Sequence, residues 1–312
     1  MDNLTHSLVG AVIGQAGLKR LSGLGLPTLI IAANIPDIDA GCTVYGVESL
    51  AMRRGITHGP IAMLVLPMLL TGAMLVWDRW QVMRGTRPVE RPEVKPLALF
   101  LLALVGTLSH PAFDWLNTYG VRLLEPFSHR WFYGDSIFII DLWMWIGLGL
   151  SVWLSRRREK HEQPTWARPA QLGGAAVLIY IAFNIGLSWN VEERATEALS
   201  RMGIKNALVV ASPPPVRFWQ RDIFWRDATS RGSGAYTLLG GLQLSHDRLP
   251  LGMDAGLIGP AAAQRADVAA FLFWARMPFA EMKGDEIVLG DQRYSSGLTA
   301  GRFTVSIPAH DQ

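Results

Sequence analysis

Residues 59–77 read GPIAMLVLPMLLTGAMLVW and contain no charge. Residues 171–189, QLGGAAVLIYIAFNIGLSW, contain none either. A bilayer core of ~30 Å takes about 20 apolar residues of helix, so both stretches read as membrane spans. Residues 97–109 (LALFLLALVGTLS) are apolar and then meet His110 and Asp114. Residues 137–154 (IFIIDLWMWIGLGLSVWL) are apolar except for Asp141. These two read as spans with polar residues near one end. Buried helices of a soluble protein are the competing reading, but uncharged stretches this long are rare in soluble cores. The whole 312-residue chain agrees: half of it is hydrophobic and 18% is charged, against ~25% in ordinary soluble domains. Disorder and a nucleic-acid-binding tail are excluded. The single cysteine, Cys42, excludes an internal disulfide framework and a multi-cysteine metal site.

Two short apolar pieces precede these spans, Ser7 to Leu18 and Leu24 to Ile35, with Lys19 and Arg20 between them. Each is roughly 18 Å long as a helix, too short to cross. A cleaved signal peptide does not fit, because no basic segment precedes the apolar stretch. A tight helical hairpin with Lys19–Arg20 at its tip is preferred to one long span. Orientation follows from the Lys/Arg bias. The 78–96 loop carries Arg79, Arg84, Arg87, Arg91 and Lys95, and the 155–170 loop carries Arg156, Arg157, Arg158, Lys160 and Arg168. Both loops are read as cytoplasmic. Segments 36–58 and 110–136 and the chain after the last span then face outward, into the periplasm of a two-membrane bacterium.

The expected architecture is mainly α: a polytopic transmembrane helical bundle over 1–190, followed by a small extramembrane α+β domain over 191–312. In the second part, turn clusters (Ser212 to Pro215, Arg231 to Gly234, Gly240-Gly241) separate aromatic and β-branched runs. Residues 286–290 and 302–307 read as a hairpin and 265–277 as a short helix. His246-Asp247 reads as a surface turn.

The acidic and histidine residues beside the spans carry the functional argument. They are Asp2 and His6 in MDNLTH, Asp37 and Asp39 in NIPDID, His58 in RRGITHG, His110 and Asp114 in SHPAFDWLN, His129 in PFSHRW, and Asp135 and Asp141 in GDSIFIID. With the hairpin, all of them fall on the outward face or near the outward ends of spans. Ionisable residues beside a span are costly and default to a functional reading. Histidines with several carboxylates form the ligand set of a divalent metal; zinc suits it, with iron or manganese as alternatives. His110 and Asp114, at i,i+4, share one helix face, and Pro111 between them is expected to start or bend the helix. In PDID, Pro36 stops the preceding helix, and alternation would place Asp37 and Asp39 on one side of an extended segment. A His–Asp pair without metal and an ordinary turn after a helix are the bland readings of these two motifs. His129 and Asp135, in a loop rich in aromatics, are read as contacting ligands, substrate or the membrane interface.

MDNLTHSLVG, NIPDID, RRGITHG, LSHPAFDWLN and WFYGDSIFIID together resemble the bacterial LexA-regulated, inner-membrane metal-dependent hydrolases, a family of the domain-of-unknown-function type. The resemblance covers roughly residues 1–190 and is similar, more distantly, to zinc-dependent phospholipase C. It implies metal ligands at His6, Asp37, His58, His110 and Asp114, with Asp39 and Asp141 as weaker members. The soluble enzymes also ligate zinc through a mature N-terminal amine and a tryptophan, with no counterpart read at this start. The expectation is a membrane-bound hydrolase that activates water on one or more divalent ions, with Asp39 or Asp114 as general base. Its substrate would be a phosphoester or an amphipathic, lipid-like molecule, its surroundings membrane lipid. The alternative is a metal-stabilised membrane scaffold presenting the C-terminal domain to a partner. A transporter fits less well, since few polar residues lie deep in the spans and no repeat halves are apparent.

Overall fold

The computed structural model of the chain describes residues 1–253, 256–295 and 299–309. These form two compact units: Met1–Ile38 with Arg54–Ile185, and Asp39–Arg53 with the chain from Gly186 onward.

The first unit is helical. Helix α1 (Asn3–Gln15) starts where the Asp2 carboxylate accepts the Thr5 amide N–H at 3.0 Å, satisfying one of the donors a helix start leaves open. A 3-10 turn, Leu18–Leu21, carries Lys19 and Arg20, and helix α2 (Gly25–Ala32) runs back antiparallel, Gly10 against Leu29 and Gly14 against Leu26. This is the hairpin expected from the two apolar pieces. A 3-10 segment follows over Ile35–Glu48, kinked at Gly46 where the backbone is not helical, then a single turn α3 (Ser49–Met52) that belongs to the second unit. Helices α4 (Pro60–Met83) and α5 (Pro96–Trp115) each begin with a proline, whose missing N–H costs nothing at a helix start. Helix α6 spans Leu142–Lys160, and α7 spans Arg168–Arg201, entering the second unit at Gly186.

Three helices, α4, α5 and α7, are long and apolar enough to cross a membrane. The expected fourth span, 137–154, is not among them. Its helix begins only at Leu142 and ends in Arg156 to Lys160, so its apolar part is ~20 Å long at 1.5 Å per residue. The bend expected at Pro111 also differs: α5 continues through Pro111 to Trp115.

The second unit is built on β-structure. Strands β1 (Leu208–Ser212), β2 (Gln220–Arg226), β3 (Ser230–Thr237) and β4 (Gly241–Leu244) pair antiparallel in that order, with β5 (Leu249–Pro250) also on β3. One face packs on α7. There Leu187, Val191, Ala195 and Leu199, four residues apart, make a stripe against Val209, Ala211, Ile223, Trp225 and Tyr236. Arg221, fully buried on the same face, donates to the Ser188 hydroxyl at 2.7 Å. Helices α8 (Ile258–Gln264) and α9 (Ala266–Trp274) lead into a second antiparallel sheet, β6 (Pro278–Lys283), β7 (Glu286–Asp291) and β8 (Thr304–Pro308). The 265–277 helix and the 286–307 pairing read from sequence are both present. The described chain is thus a helical N-terminal part followed by two sheets, less dominated by helix than expected.

Candidate metal centre

The polar residues of the first unit converge at one end of α4 and α5. Helix α5 presents His110 and Asp114 one turn apart in its last two turns, both with no exposure. His58 lies two residues before the start of α4, on a 3-10 turn whose Thr57 hydroxyl sits 2.9 Å from its Nδ1. Asp37 comes from the start of the 3-10 helix that follows α2. One ligand atom from each of Asp37, His58, His110 and Asp114 lies within 4.8 Å of the others.

The spacing fits a metal ion. The His58 Nε2 to Asp114 Oδ2 distance is 3.3 Å, His110 Nε2 to Asp114 Oδ2 is 3.5 Å and His110 Nε2 to Asp37 Oδ1 is 3.6 Å. Four atoms bonded tetrahedrally at ~2.1 Å stand about 3.4 Å apart. The His110 tautomer points the same way. Its Nδ1 lies 2.7 Å from the Ala33 carbonyl oxygen; a carbonyl only accepts, so Nδ1 carries the proton. Nε2 then faces two carboxylates, which leaves a place between them for a second ring proton or a metal ion. A carbonyl fixing the far nitrogen is also what keeps a ligating imidazole in register.

Several groups surround the four. His6, 1% exposed, places Nε2 at 3.3 Å from Asp114 Oδ1 and stacks on His110 with ring centroids 3.8 Å apart. The Met1 ammonium contacts the same carboxylate oxygen. On the other side, Arg54 Nε lies 3.0 Å from Asp114 Oδ2, and its Nη1 donates to Asn117 Oδ1 at 2.9 Å. Arg54 adopts a left-handed backbone (φ 52°), uncommon for a side chain of this size, and the turn brings the guanidinium back onto Asp114. Asp114 is therefore the hub: two imidazoles of the group of four, His6, Met1 and Arg54 all reach it.

Other residues singled out by sequence lie differently. Asp39 is buried but outside the group of four. The PDID segment is 3-10 helix and not extended; with three residues per turn, positions two apart leave on different sides, so Asp37 and Asp39 do not share a face. Asp141 is the N-cap of α6, accepting the Met144 N–H at 2.9 Å and the Tyr180 hydroxyl at 2.8 Å. Asp141→Ala is expected to cost about 1 kcal/mol, the usual loss for a cap, with metal content unchanged; lost metal in elemental analysis would return it to the ligand set. His129 is mostly exposed and lies 2.8 Å from Glu125 Oε1, which also accepts from Arg122 at 2.6 Å. Asp135 is buried with a left-handed backbone (φ 47°). Sequence reading missed Arg54 as a partner of Asp114, and it missed the Met1 amine.

A family model described as YdjM inner membrane protein matches residues 1–191. The chain belongs to the YdjM inner membrane protein family. No curated protein and no solved structure matches it. The YdjM match spans every residue of the metal-fitting group and ends inside α7, so the two sheets lie beyond it. Inner-membrane membership agrees with the three apolar helices.

Proposed function

We propose that this chain is a membrane-embedded, metal-dependent hydrolase acting on a phosphoester or lipid-like substrate. The observation that carries the reading is the convergence of Asp37, His58, His110 and Asp114 at the shared end of two apolar helices. These four would hold a divalent ion, zinc by ligand type, and His6 would steady Asp114. A bound ion lowers the pKa of water from 15.7 toward ~7 and polarises the bond to be cut. Both Asp114 oxygens are engaged by His6, His58, His110 and Arg54, which supports Asp114 as a ligand and not as the proton acceptor. Support for a lipid-like substrate comes from position: α4 starts at Pro60, two residues after His58, and α5 ends at Trp115, one residue after Asp114. This supports a site at a membrane boundary. The arginine-rich 78–96 loop joins the opposite ends of these helices, which supports a periplasmic placement for the site.

One observation favours the scaffold reading. His58, His110 and Asp114 are all at most 1% exposed, and structural metal sites are closed whereas catalytic ones keep an open position. Purified protein in detergent, assayed with metal and after chelation against phosphodiester and phospholipid panels, separates the two. Metal-dependent turnover, lost on chelation and in Asp114→Asn, is expected for the hydrolase. Tight metal and a chelator-sensitive melt without turnover on any panel member would establish the scaffold.

A further inference from the structure

Helix α7 comes to the end of its apolar run inside the second unit. The uncharged stretch 171–189 finishes at Ser188 and Trp189, and Glu192, Glu193 and Arg194 follow. Trp189 is 74% exposed, and tryptophan at the end of an apolar run marks a lipid–water interface. Two hydrogen bonds align the five-stranded sheet with this part of the helix. Arg221 Nε donates to the Ser188 hydroxyl at 2.7 Å, and the Ala211 amide donates to Glu192 Oε1 at 3.2 Å. Ala211 pairs with Ile223, two residues along β2 from Arg221. Two strand residues advance ~7 Å, and the four helix residues from Ser188 to Glu192 advance ~6 Å, so the strands run alongside α7. One end of the sheet is therefore level with the end of the apolar run, and the other is carried away from it.

Two turns share the near end. Ser212, last in β1, pairs with Asp222, and Gln220, first in β2, pairs with Thr237, last in β3. The 213–219 connection and the 238–240 turn thus lie together, on the Ser188 side of the sheet. Both are apolar where turns are ordinarily polar. The second reads Leu238-Leu239-Gly240, where hairpins favour Asn, Asp and Gly. Leu238 is 53% exposed, and Leu239 is fully exposed. The first reads PPPVRFW. Its prolines fix φ, Val216 is exposed, and the Phe218 and Trp219 rings meet edge to face at 5.2 Å. Arg217 is the single charge in the two turns. The β2–β3 turn at the far end is polar: Asp227 accepts the Thr229 and Ser230 amides at 2.9 and 2.7 Å.

We propose that the near end of this sheet is seated in the bilayer interface where α7 emerges. Leu238, Leu239 and Val216 enter the boundary between headgroups and acyl chains, and Arg217 meets lipid phosphate. The C-terminal unit is then held to the membrane by two stiff turns as well as by α7. A second copy of the chain would also cover the leucines, but it would not require the apolar turns to fall at the end level with Trp189 and the polar turn at the other.

The test uses the full chain with Cys42→Ser, so that one new cysteine at a time, Leu239→Cys, Val216→Cys or Ala228→Cys, carries a nitrobenzoxadiazole fluorophore. All three positions are exposed, so the label displaces no packed side chain. The protein is placed in nanodiscs of phosphatidylethanolamine and phosphatidylglycerol, with or without lipid spin-labelled near the top of the acyl chain. Emission at 239 and at 216 is expected to fall about twofold or more with spin-labelled lipid, the depth reached by interfacial side chains, and to resist quenching by aqueous iodide. The label at 228, in the far turn, should show the reverse. Iodide quenching at 239 as strong as at 228, in a protein with the parental melting temperature, overturns the proposal. Protection from iodide without quenching by spin-labelled lipid assigns the turns to a protein–protein contact and overturns it as well. The labels at 239 and 216 report separately, so misfolding of one variant leaves the other to decide.

Discussion

His110→Ala is expected to strip the protein of its metal and to lower its melting temperature by roughly 10 °C. His110 lies between the two carboxylates of the group of four, Asp37 at 3.6 Å and Asp114 at 3.5 Å. Without it, the remaining ligands lose their geometry and the two carboxylates lose the imidazole between them. A tightly held ion stabilises the native state by ~4 kcal/mol when free ion is a thousandfold above Kd. For a domain of this unit's size, each kcal/mol moves the melt by ~2–4 °C. Metal per chain, read by elemental analysis, should fall to background, and added chelator should no longer shift the melt of the variant while still shifting that of the parent. Retention of metal at the parental stoichiometry in His110→Ala would remove the proposed centre. Asp37→Asn guards against a folding artefact: it keeps the volume, leaves the Ala33 bond of His110 in place, and should weaken metal retention to a lesser degree. The sign with pH also follows. Ligation needs a deprotonated imidazole, so metal retention should decline as the solution is acidified.

The parts of this centre that were legible in the sequence are those set by local rules. His110 and Asp114 share a helix face at any i,i+4 spacing, and the helix is marked by a long apolar run. The hairpin that carries His6 and the approach to Asp37 was marked by Lys19 and Arg20 between two pieces too short to cross. Two readings failed where local geometry was assumed. Asp37 and Asp39 were expected to share a side because the PDID segment was taken as extended; it is wound as 3-10 helix. The 137–154 run was read as one span because apolarity alone was counted, but Asp141 caps a helix that starts only after it. Arg54 was not legible as a partner of Asp114, because its contact depends on a left-handed backbone at a non-glycine residue, which composition does not announce. The first sheet was legible only as turns, since Ser230–Thr237 has three buried residues in succession and no clean alternation. The α7 stripe that covers it was hidden inside a helix whose first half reads as a membrane span.

Glycine packing sets up the ligand geometry, and Gly106→Val is the variant expected to expose it. Helix α2 is clamped between two glycines. A Cβ on Gly10 of α1 would come within 2.6 Å of the Leu29 carbonyl oxygen, and one on Gly106 of α5 within 2.9 Å of the same oxygen and 2.7 Å of the Ala32 side chain. The obstacles include backbone atoms, so no rotamer change relieves them. A branched side chain at position 106 must push α2 away from α5. Overpacking of this kind typically costs ~1–3 kcal/mol, and this site adds a second loss. Ala33, the residue after α2, supplies the carbonyl that fixes His110 Nδ1 at 2.7 Å, and Gly106 lies one helical turn before His110 on the same face. Moving α2 therefore releases the His110 ring and shifts Asp37, which follows Ala33 by four residues. Removal of such an outer partner typically weakens metal affinity ~10–100-fold. Gly106→Val is thus expected to lose metal although it alters no ligand, and Gly106→Ala to show the same effect more weakly. Gly72 of α4 is the control, since a Cβ there meets nothing within 4 Å, and Gly72→Ala should keep both metal and melting temperature. Full metal occupancy in a folded Gly106→Val protein would show that the α2–α5 contact does not set the position of His110.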